Sequence, residues 1–135
     1  MNWKYVKPLS SEKLLKAFET AQDFKFPVEY HSCVMQHNGG RPEKKAFFNS
    51  TGNERVVKSF LSFNPDDKEN IWDVAKWSGS EISEQYLPFA MDNFGNLICF
   101  QKDNATIVFI NMENKSIEDV ANSFAEFMKK LEESG

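Results

Sequence analysis

The clearest hydrophobic pattern in the chain is a series of three short apolar runs between Tyr86 and Ile110. Polar turns separate the runs, the first over residues 92–96 and the second over residues 102–105. Short β-branched and aromatic runs bounded by Asn, Asp and Gly are typical of an antiparallel meander. The second and third runs are apolar at nearly every position, so both faces of these strands should be covered. The pattern therefore places this segment at the centre of a sheet.

Two amphipathic helices are expected in the first third of the chain. Ser10 or Ser11 can cap the first helix. The apolar residues that follow, up to Ala21, recur at three- and four-residue spacing, which predicts this helix. Pro27 suits the first position of a second helix, and the Asn-Gly-Gly sequence at 38–40 provides a left-handed end for it. Both helices should therefore be short and sharply terminated.

The segments around these helices have weaker patterns. Residues 1–9 contain aromatic and aliphatic side chains that could pack as a flap. Residues 46–48 are apolar, and apolar and polar residues alternate over 54–63 after a polar turn, which predicts a β-hairpin with one polar face. A third helix is expected to be capped by residues 64–67 and to end near Trp77.

The last predicted element is a long amphipathic helix that closes the chain. Ser116 followed by Asp119 has the spacing of a capping box, so the helix is expected to begin there. Its apolar positions form a continuous stripe suited to packing on a sheet. The stripe consists of Ile117, Val120, Ala121, Phe124, Phe127, Met128 and Leu131.

Size and composition indicate one packed domain that spans residues 1–135. The chain is 41% hydrophobic and 14% aromatic, which excludes a disordered protein. A chain of this length can bury about two-thirds of its unfolded surface, so it needs no disulfide or metal to fold. The net charge of −4 argues against direct binding of nucleic acid, because phosphate contacts need clustered Lys and Arg. The same charge suits a basic protein partner.

Several features predict a cytoplasmic protein. The N-terminus has no apolar run of the kind found in signal peptides. No segment approaches the roughly 18 consecutive apolar residues that a membrane-spanning helix needs. Cys33 and Cys99 lie in apolar surroundings and are expected to be free, buried thiols in a reducing compartment.

No pattern in the sequence predicts catalysis, a metal site or a cofactor. His31 and His37 do not share one helical face, and no Cys pair has zinc-ligand spacing. Cys33 could lie near His37, but no third group is available to orient such a pair. Asp92 precedes a glycine turn, where a carboxylate is more useful as an acceptor for backbone N–H groups than as a catalyst.

The remaining candidate residues belong to surfaces. Four carboxylates and two tryptophans cluster at the third helix: Asp66, Asp67, Glu69, Trp72, Asp73 and Trp77. The carboxylates could simply complement the helix dipole. They could also form a charged rim around aromatic anchors, which is a common composition for protein interfaces. Asp92 and Phe94, on the first turn of the meander, form a second candidate patch.

Three stretches together resemble the SUKH superfamily of the Smi/Knr type. They are FPVEYHSCVMQHNGGRP, then YLPFAMDNFGNLICF with TIVFI behind it, and finally IEDVANSFAEFMKKL. A proline-started helix that ends in Asn-Gly-Gly, a Pro-Phe-Ala-x-Asp…Gly-Asn hairpin and a closing Ala-x-Ser-Phe-x-x-Phe helix characterise that superfamily. The matching positions are Pro27, Tyr30, Asn38, Gly39, Gly40, Pro88, Phe89, Ala90, Asp92, Gly95, Asn96, Ala121, Ser123, Phe124 and Phe127.

The resemblance implies an α+β fold in which helices pack against a single, largely antiparallel sheet. It implies a non-enzymatic protein-binding domain, since the family has no catalytic residues to transfer. Bacterial members are mostly immunity proteins that neutralise a polymorphic toxin, often a nuclease, so a basic toxin domain is the first expected partner. A regulatory scaffold that binds a host protein, as in the fungal cell-wall regulators, is the second reading. An enzyme or small-molecule binder is the third.

Overall fold

The computed structural model describes residues 1–134, and in this range the chain forms nine strands and five helices. The strands are β1 (Trp3–Lys4), β2 (Arg41–Pro42), β3 (Ala46–Phe48), β4 (Glu54–Val56), β5 (Ser59–Phe60), β6 (Tyr86–Met91), β7 (Leu97–Gln101), β8 (Ile107–Ile110) and β9 (Ile117–Ala121). The helices are α1 (Lys13–Gln22), α2 (Val28–His37), α3 (Ile71–Trp77), α4 (Ser80–Ser83) and α5 (Phe124–Ser134).

The centre of the fold is a five-stranded antiparallel sheet in the order β5-β6-β7-β8-β9. Strands β6, β7 and β8 are the three runs of the predicted meander, so both the meander and its central position are confirmed. Every residue of β8 is buried, and only Gln101 of β7 is partly exposed. The α+β prediction is confirmed too. The structure adds two small two-stranded sheets, β1-β2 and β3-β4, to the main one.

The buried apolar residues of the described chain form one connected cluster, rich in phenylalanine. Helix α5 contacts β3 and β9, and the Phe124 ring lies 5.6 Å from Phe89 of β6 and 5.2 Å from Tyr30 of α2. Aromatic pairs at these distances add specific attraction to the burial of their area. The expected packing of the C-terminal helix on the sheet is therefore confirmed, and α2 shares the same core.

The predicted beginning of that helix is wrong. Residues 117–121 form strand β9, which pairs with β8 and places Ala121 opposite Ile107. Ile117 is 45% exposed, so it is not part of a buried helical stripe. The error arises because strand residues 117, 120 and 121 happen to have the spacing of a helical face. Pairing with a buried neighbouring strand outweighs that local periodicity, as tertiary context often does.

The region between α2 and the meander is also divided differently from the prediction. Residues 54–63 do not form one strand, because β4 pairs with β3 whereas β5 pairs with β6 of the main sheet. Helix α3 begins at Ile71 rather than after residues 64–67. Its N-cap is Asn70, whose side-chain oxygen accepts a hydrogen bond from the backbone N–H of Asp73 at 2.8 Å. The short helix α4 was not predicted.

Residues 2–10, here called the N-terminal strap, lie across the end of α2. Strand β1 pairs with β2, and the Trp3 ring stacks on the His37 ring at a centroid distance of 4.8 Å. The backbone N–H of Lys7 donates to the carbonyl oxygen of Asn38 at 2.8 Å. The predicted flap is therefore a docked segment with its own hydrogen bonds.

Both cysteines are unpaired, as expected. Cys99 is fully buried and Cys33 is half-buried, and burial raises the pKa of the Cys33 thiol to about 12. Burial raises the pKa of the Cys99 thiol as well, so both groups are neutral thiols at physiological pH. Among residues 1–134, no helix is both long enough and apolar enough to cross a bilayer.

Candidate protein-binding surface

The loop before α3 carries three of the candidate carboxylates, and two of them make internal contacts. The hydroxyl of Ser62 donates to Asp67 Oδ2 at 2.6 Å, and the Asn64 side chain donates to the same oxygen at 3.1 Å. Asp67 is consequently half-buried and holds the loop together. Asp66, its neighbour, is exposed.

The third carboxylate of the loop, Glu69, is bound by two residues near β5. Lys58 Nζ lies 2.6 Å from Glu69 Oε2, and the Ser59 hydroxyl donates to Oε1 at 3.1 Å. Burial raises the pKa of Glu69, but the hydrogen bonds from Lys58 and Ser59 and the Lys58 charge outweigh it, so the pKa lies below its ordinary value. Glu69 is thus held as a carboxylate that links this loop to β5, and it is only partly available to a partner.

The two tryptophans of α3 have different environments. Trp72 Nε1 donates to the carbonyl oxygen of Phe63 at 3.0 Å, and its ring packs edge-to-face on Phe18 at 4.9 Å. Trp72 therefore belongs mainly to the core. Trp77, at the C-terminal end of α3, is 60% exposed. Asp73 is exposed one helical turn before it, on the same face of the helix.

The three exposed members of the predicted cluster, Asp66, Asp73 and Trp77, are here called the acidic patch. Asp73 and Trp77 are held on a rigid support, because Ile71, Val74 and Ala75 of α3 are buried on the opposite side, and Asp66 lies in the loop before this helix. An exposed indole one turn from a carboxylate, with a second exposed carboxylate in the preceding loop, has the composition of an interface anchor with a charged rim. The arrangement suits binding to a basic protein surface.

Beside the acidic patch lies a groove of about 560 Å³ with mixed charge, here called the mixed groove. Its lining includes Asp66, Asp67 and Glu69, and also the four basic residues Lys7, Arg41, Lys58 and Lys68. The surroundings of the predicted cluster are therefore not uniformly acidic. Lys68 belongs to the loop itself, whereas Lys7, Arg41 and Lys58 come from the strap, β2 and the segment before β5. Local sequence patterns could not reveal that these three residues lie near the loop.

The two residues of the second candidate patch differ in exposure: Asp92 is buried and Phe94 is exposed. Asp92 is buried, and its Oδ1 accepts hydrogen bonds from the backbone N–H groups of Phe94 and Asn96, each at 2.8 Å. This is the turn-stabilising role expected for it. The Phe94 side chain is 88% exposed at the tip of the turn between β6 and β7.

Within residues 1–134, no group of three or more His, Cys, Asp or Glu side chains is arranged to hold a metal ion. The half-buried Cys33 is a neutral thiol with a raised pKa, which makes it a poor nucleophile. The described surface carries exposed aromatic side chains and charged groups.

Comparison with known proteins confirms the resemblance seen in the sequence. The family model described as SMI1-KNR4 cell-wall (SUKH_6) matches residues 12–128, which include every helix and strand except β1 and the end of α5. A search of curated proteins found no match to the chain. The chain therefore belongs to the SMI1-KNR4 family of the SUKH type, which includes toxin-immunity proteins and whose members are generally non-catalytic.

Proposed function

We propose that this protein is a cytoplasmic, non-enzymatic immunity protein that neutralises a basic toxin domain by covering the toxin's substrate site. The observation that carries the proposal is the acidic patch, in which the exposed indole of Trp77 lies one turn from the carboxylate of Asp73. The family includes proteins with this role, and the net charge of −4 favours a basic partner.

In this proposal the residues of the patch have separate tasks. Trp77 provides affinity, because a large aromatic side chain that becomes fully buried is a typical hot spot. Asp66 and Asp73 accelerate association and select a basic surface. Asp67, Glu69 and Trp72 act indirectly, since their internal contacts hold the loop and α3 in place. Phe94 belongs to a different surface, and Asp92 shapes its turn.

Co-expression with the candidate toxin domain encoded next to the gene tests the proposal. The native chain should restore growth, and the purified pair should associate more slowly as salt rises, because exposed charges more than about 8 Å apart are screened at physiological ionic strength. The double variant Asp66→Lys/Trp77→Ala should weaken binding by about tenfold or more, the loss typical of a hot spot.

The matched control is Glu113→Lys/Val28→Ala. It makes the same charge change and also truncates an exposed apolar side chain, but at positions outside the patch. It should bind and protect like the native chain. If Asp66→Lys/Trp77→Ala protects cells and binds the toxin domain as well as the native chain does, the acidic patch is not the binding surface.

The second candidate is a regulatory scaffold that binds a host protein, and the cell-wall description of the matching family model favours it. Its experimental signature differs from that of an immunity protein. A folded native chain that gives no protection against the neighbouring toxin domain would support the scaffold function over immunity.

A further inference from the structure

A second groove, of about 250 Å³, lies between the N-terminal strap and β2. We call it the strap groove. The strap contributes Lys4 and Tyr5, the β2 region contributes Arg41 and Lys45, and the turn between β6 and β7 contributes Asn93. The strap groove adjoins the mixed groove but contains no residue of the acidic patch.

The charge of the strap groove is opposite to that of the whole chain. Lys4, Arg41, Lys45 and Lys58 line it, against a single acidic residue, Glu43. Lys58 is paired with Glu69, whereas the other three cations make no ion pair with any residue in 1–134. Acidic residues outnumber basic ones by 20 to 16 in the full chain. Within residues 1–134, three cations that form no ion pair, against the single carboxylate of Glu43, therefore give this groove a local basic surface on an acidic protein.

Exposed aromatic side chains flank these cations. The Tyr5 side chain is 68% exposed, and the Arg41 guanidinium lies 5.2 Å from the centre of its ring. Phe94, the exposed residue at the tip of the neighbouring turn, directly follows Asn93 of the groove lining. Tyrosine and arginine are enriched where interfaces gain most of their affinity, whereas an exposed phenylalanine gains free energy only when a partner covers it.

The backbone of the groove is fixed before any ligand binds. Lys4 and Arg41 are opposite each other in the β1-β2 pair. The strap is further held where the Ser10 N–H donates to Asn64 Oδ1 at 2.8 Å and where the Lys7 N–H donates to the Asn38 carbonyl oxygen. Binding to such a site loses little backbone entropy, which favours affinity.

We propose that the strap groove binds an acidic peptide segment of a protein partner. Lys4, Arg41 and Lys45 hold its carboxylates, with the planar guanidinium of Arg41 able to bind one of them through two hydrogen bonds. Tyr5 and Phe94 cover its apolar side chains. This surface is separate from the acidic patch, so the proposal does not depend on the proposed immunity function.

The charge balance favours a peptide over a nucleic acid. Proteins that bind duplex DNA through its backbone typically use about six to ten phosphate contacts, and the described lining of the groove has three cations outside ion pairs. The carboxylates of the adjoining mixed groove would repel a continuous phosphate chain. A short acidic peptide carries fewer charges and can be matched by the three cations alone.

The strap groove is also partly built from residues beyond the family match. That match begins at residue 12, whereas Lys4 and Tyr5 precede it. The strap thus adds a basic and an aromatic side chain to a surface of the family fold. We expect this to make the recognition specific to chains that carry such a strap.

Fluorescence anisotropy with a labelled oligoglutamate peptide tests the proposal on the full chain, with oligolysine of equal length and single-stranded oligodeoxythymidine as comparison probes. The native protein should bind oligoglutamate more tightly than either comparison probe. Lys4→Glu/Lys45→Glu should weaken this binding by about tenfold or more, the loss expected when charge pairs at an interface are reversed. Tyr5→Ala should also weaken it, without any change of net charge, because the Tyr5 ring packs on the Arg41 guanidinium that holds a carboxylate.

The control Lys13→Glu/Lys16→Glu makes the same charge change on exposed positions of α1 and should alter the affinity by less than about twofold. Equal losses in the two double variants would show general charge attraction and overturn the proposal. Binding of oligodeoxythymidine that is tighter than that of oligoglutamate, and is lost in Lys4→Glu/Lys45→Glu, would identify a nucleic-acid surface instead. Absence of oligoglutamate binding to the native protein would also overturn the proposal of an acidic-peptide site. Protection in the co-expression assay should be unaffected by Lys4→Glu/Lys45→Glu.

Discussion

Asn38 joins three parts of the chain through one buried side chain. Its Nδ2 donates to the carbonyl oxygen of Lys7 at 2.7 Å and to the Ser62 hydroxyl at 3.0 Å, and its Oδ1 accepts from the backbone N–H of Phe63 at 2.9 Å. Only 2% of the residue is exposed. The strap, the end of α2 and the segment leading to the candidate loop are thereby held together. Two of the residues that Asn38 bonds, Lys7 and Ser62, line the mixed groove.

We expect Asn38→Ala to lower the free energy of unfolding by about 3 kcal/mol, because the Lys7 carbonyl oxygen and the buried Phe63 N–H lose their bonds to this side chain and the Ser62 hydroxyl loses one of its bonds. Urea denaturation followed by circular dichroism measures the loss. Asn53→Ala, at an exposed turn position, is the matched control and should change the stability by less than about 0.5 kcal/mol. A loss at Asn38 no greater than at Asn53 would contradict the bonding role described above.

At the scale of elements, α5 begins seven residues later than the sequence pattern indicates, and its capping group is correspondingly different. The Ser123 hydroxyl accepts a hydrogen bond from the backbone N–H of Glu126 at 3.1 Å, and the Glu126 carboxylate accepts from the N–H of Asn122 at 3.3 Å. This is a capping arrangement with Ser followed three residues later by Glu. Ser116, the expected cap, instead precedes β9.

Ser123→Ala should therefore cost about 1 kcal/mol of stability, the typical value for loss of an N-cap. Ser116→Ala should have little effect, since no hydrogen bond of its side chain occurs within residues 1–134. Thermal unfolding of the two variants distinguishes a helix α5 capped by Ser123 from one capped by Ser116. A larger loss at Ser116 than at Ser123 would favour the start of the helix suggested by the sequence pattern.

The contrast between the meander and β9 shows what local patterns can predict. Continuous apolar runs such as Leu97–Phe100, bounded by turn residues, fit a buried strand and few alternatives. Ile117, Val120 and Ala121 fit a helix and a strand equally well, and the choice depends on pairing with β8. Local patterns therefore predicted the middle of the sheet but missed its edge.

The same limit applies to the candidate surface. The carboxylates and tryptophans of α3 and its preceding loop could be predicted as a cluster, because they are close together in the chain. Which of them are exposed could not be predicted, since the partner of Glu69 is Lys58 and the partner of Trp72 is the Phe63 carbonyl group. The basic residues of the two grooves were missed for a related reason: the strap and β2 come together only in the folded chain.

At the scale of the whole molecule, two ion pairs connect separate parts of the fold. Arg55 of β4 binds Glu118 of β9 through two hydrogen bonds, at 3.0 and 2.8 Å, and so attaches the small hairpin to the edge of the main sheet. Lys58 and Glu69 connect the segment before β5 with the loop before α3. The hydrogen bond from Arg55 lowers the pKa of Glu118, and the pKa of Glu69 is lowered as well.

These shifts predict how stability changes with pH. A carboxylate with a lowered folded-state pKa stabilises the fold fully above the unfolded-state value, here 4.5, and this stabilisation is lost as the pH falls through the folded-state pKa. Each pair is partly exposed and should contribute no more than about 1 kcal/mol. Urea denaturation at pH values from neutral to about 3 should therefore show declining stability.

The variant Glu118→Gln should make this acid-induced decline shallower, because it removes one of the two titrating groups. Glu113→Gln, at an exposed turn position, serves as the control and should follow the native curve. A pH dependence of Glu118→Gln identical to that of the native chain would mean that the Arg55 pair does not contribute to acid stability.

The order of strands in the main sheet has a consequence for the folding pathway. Each strand from β5 to β9 pairs with the strand next to it in the chain, so three of its four pairings need only a tight turn to form. Contacts that are local in sequence form quickly, because closing a short loop costs little entropy. The strap must instead dock on residues such as Asn64, which is 54 positions from Ser10. The meander can therefore form early. The two grooves form later, because each is lined in part by strap residues that must first dock on the folded chain.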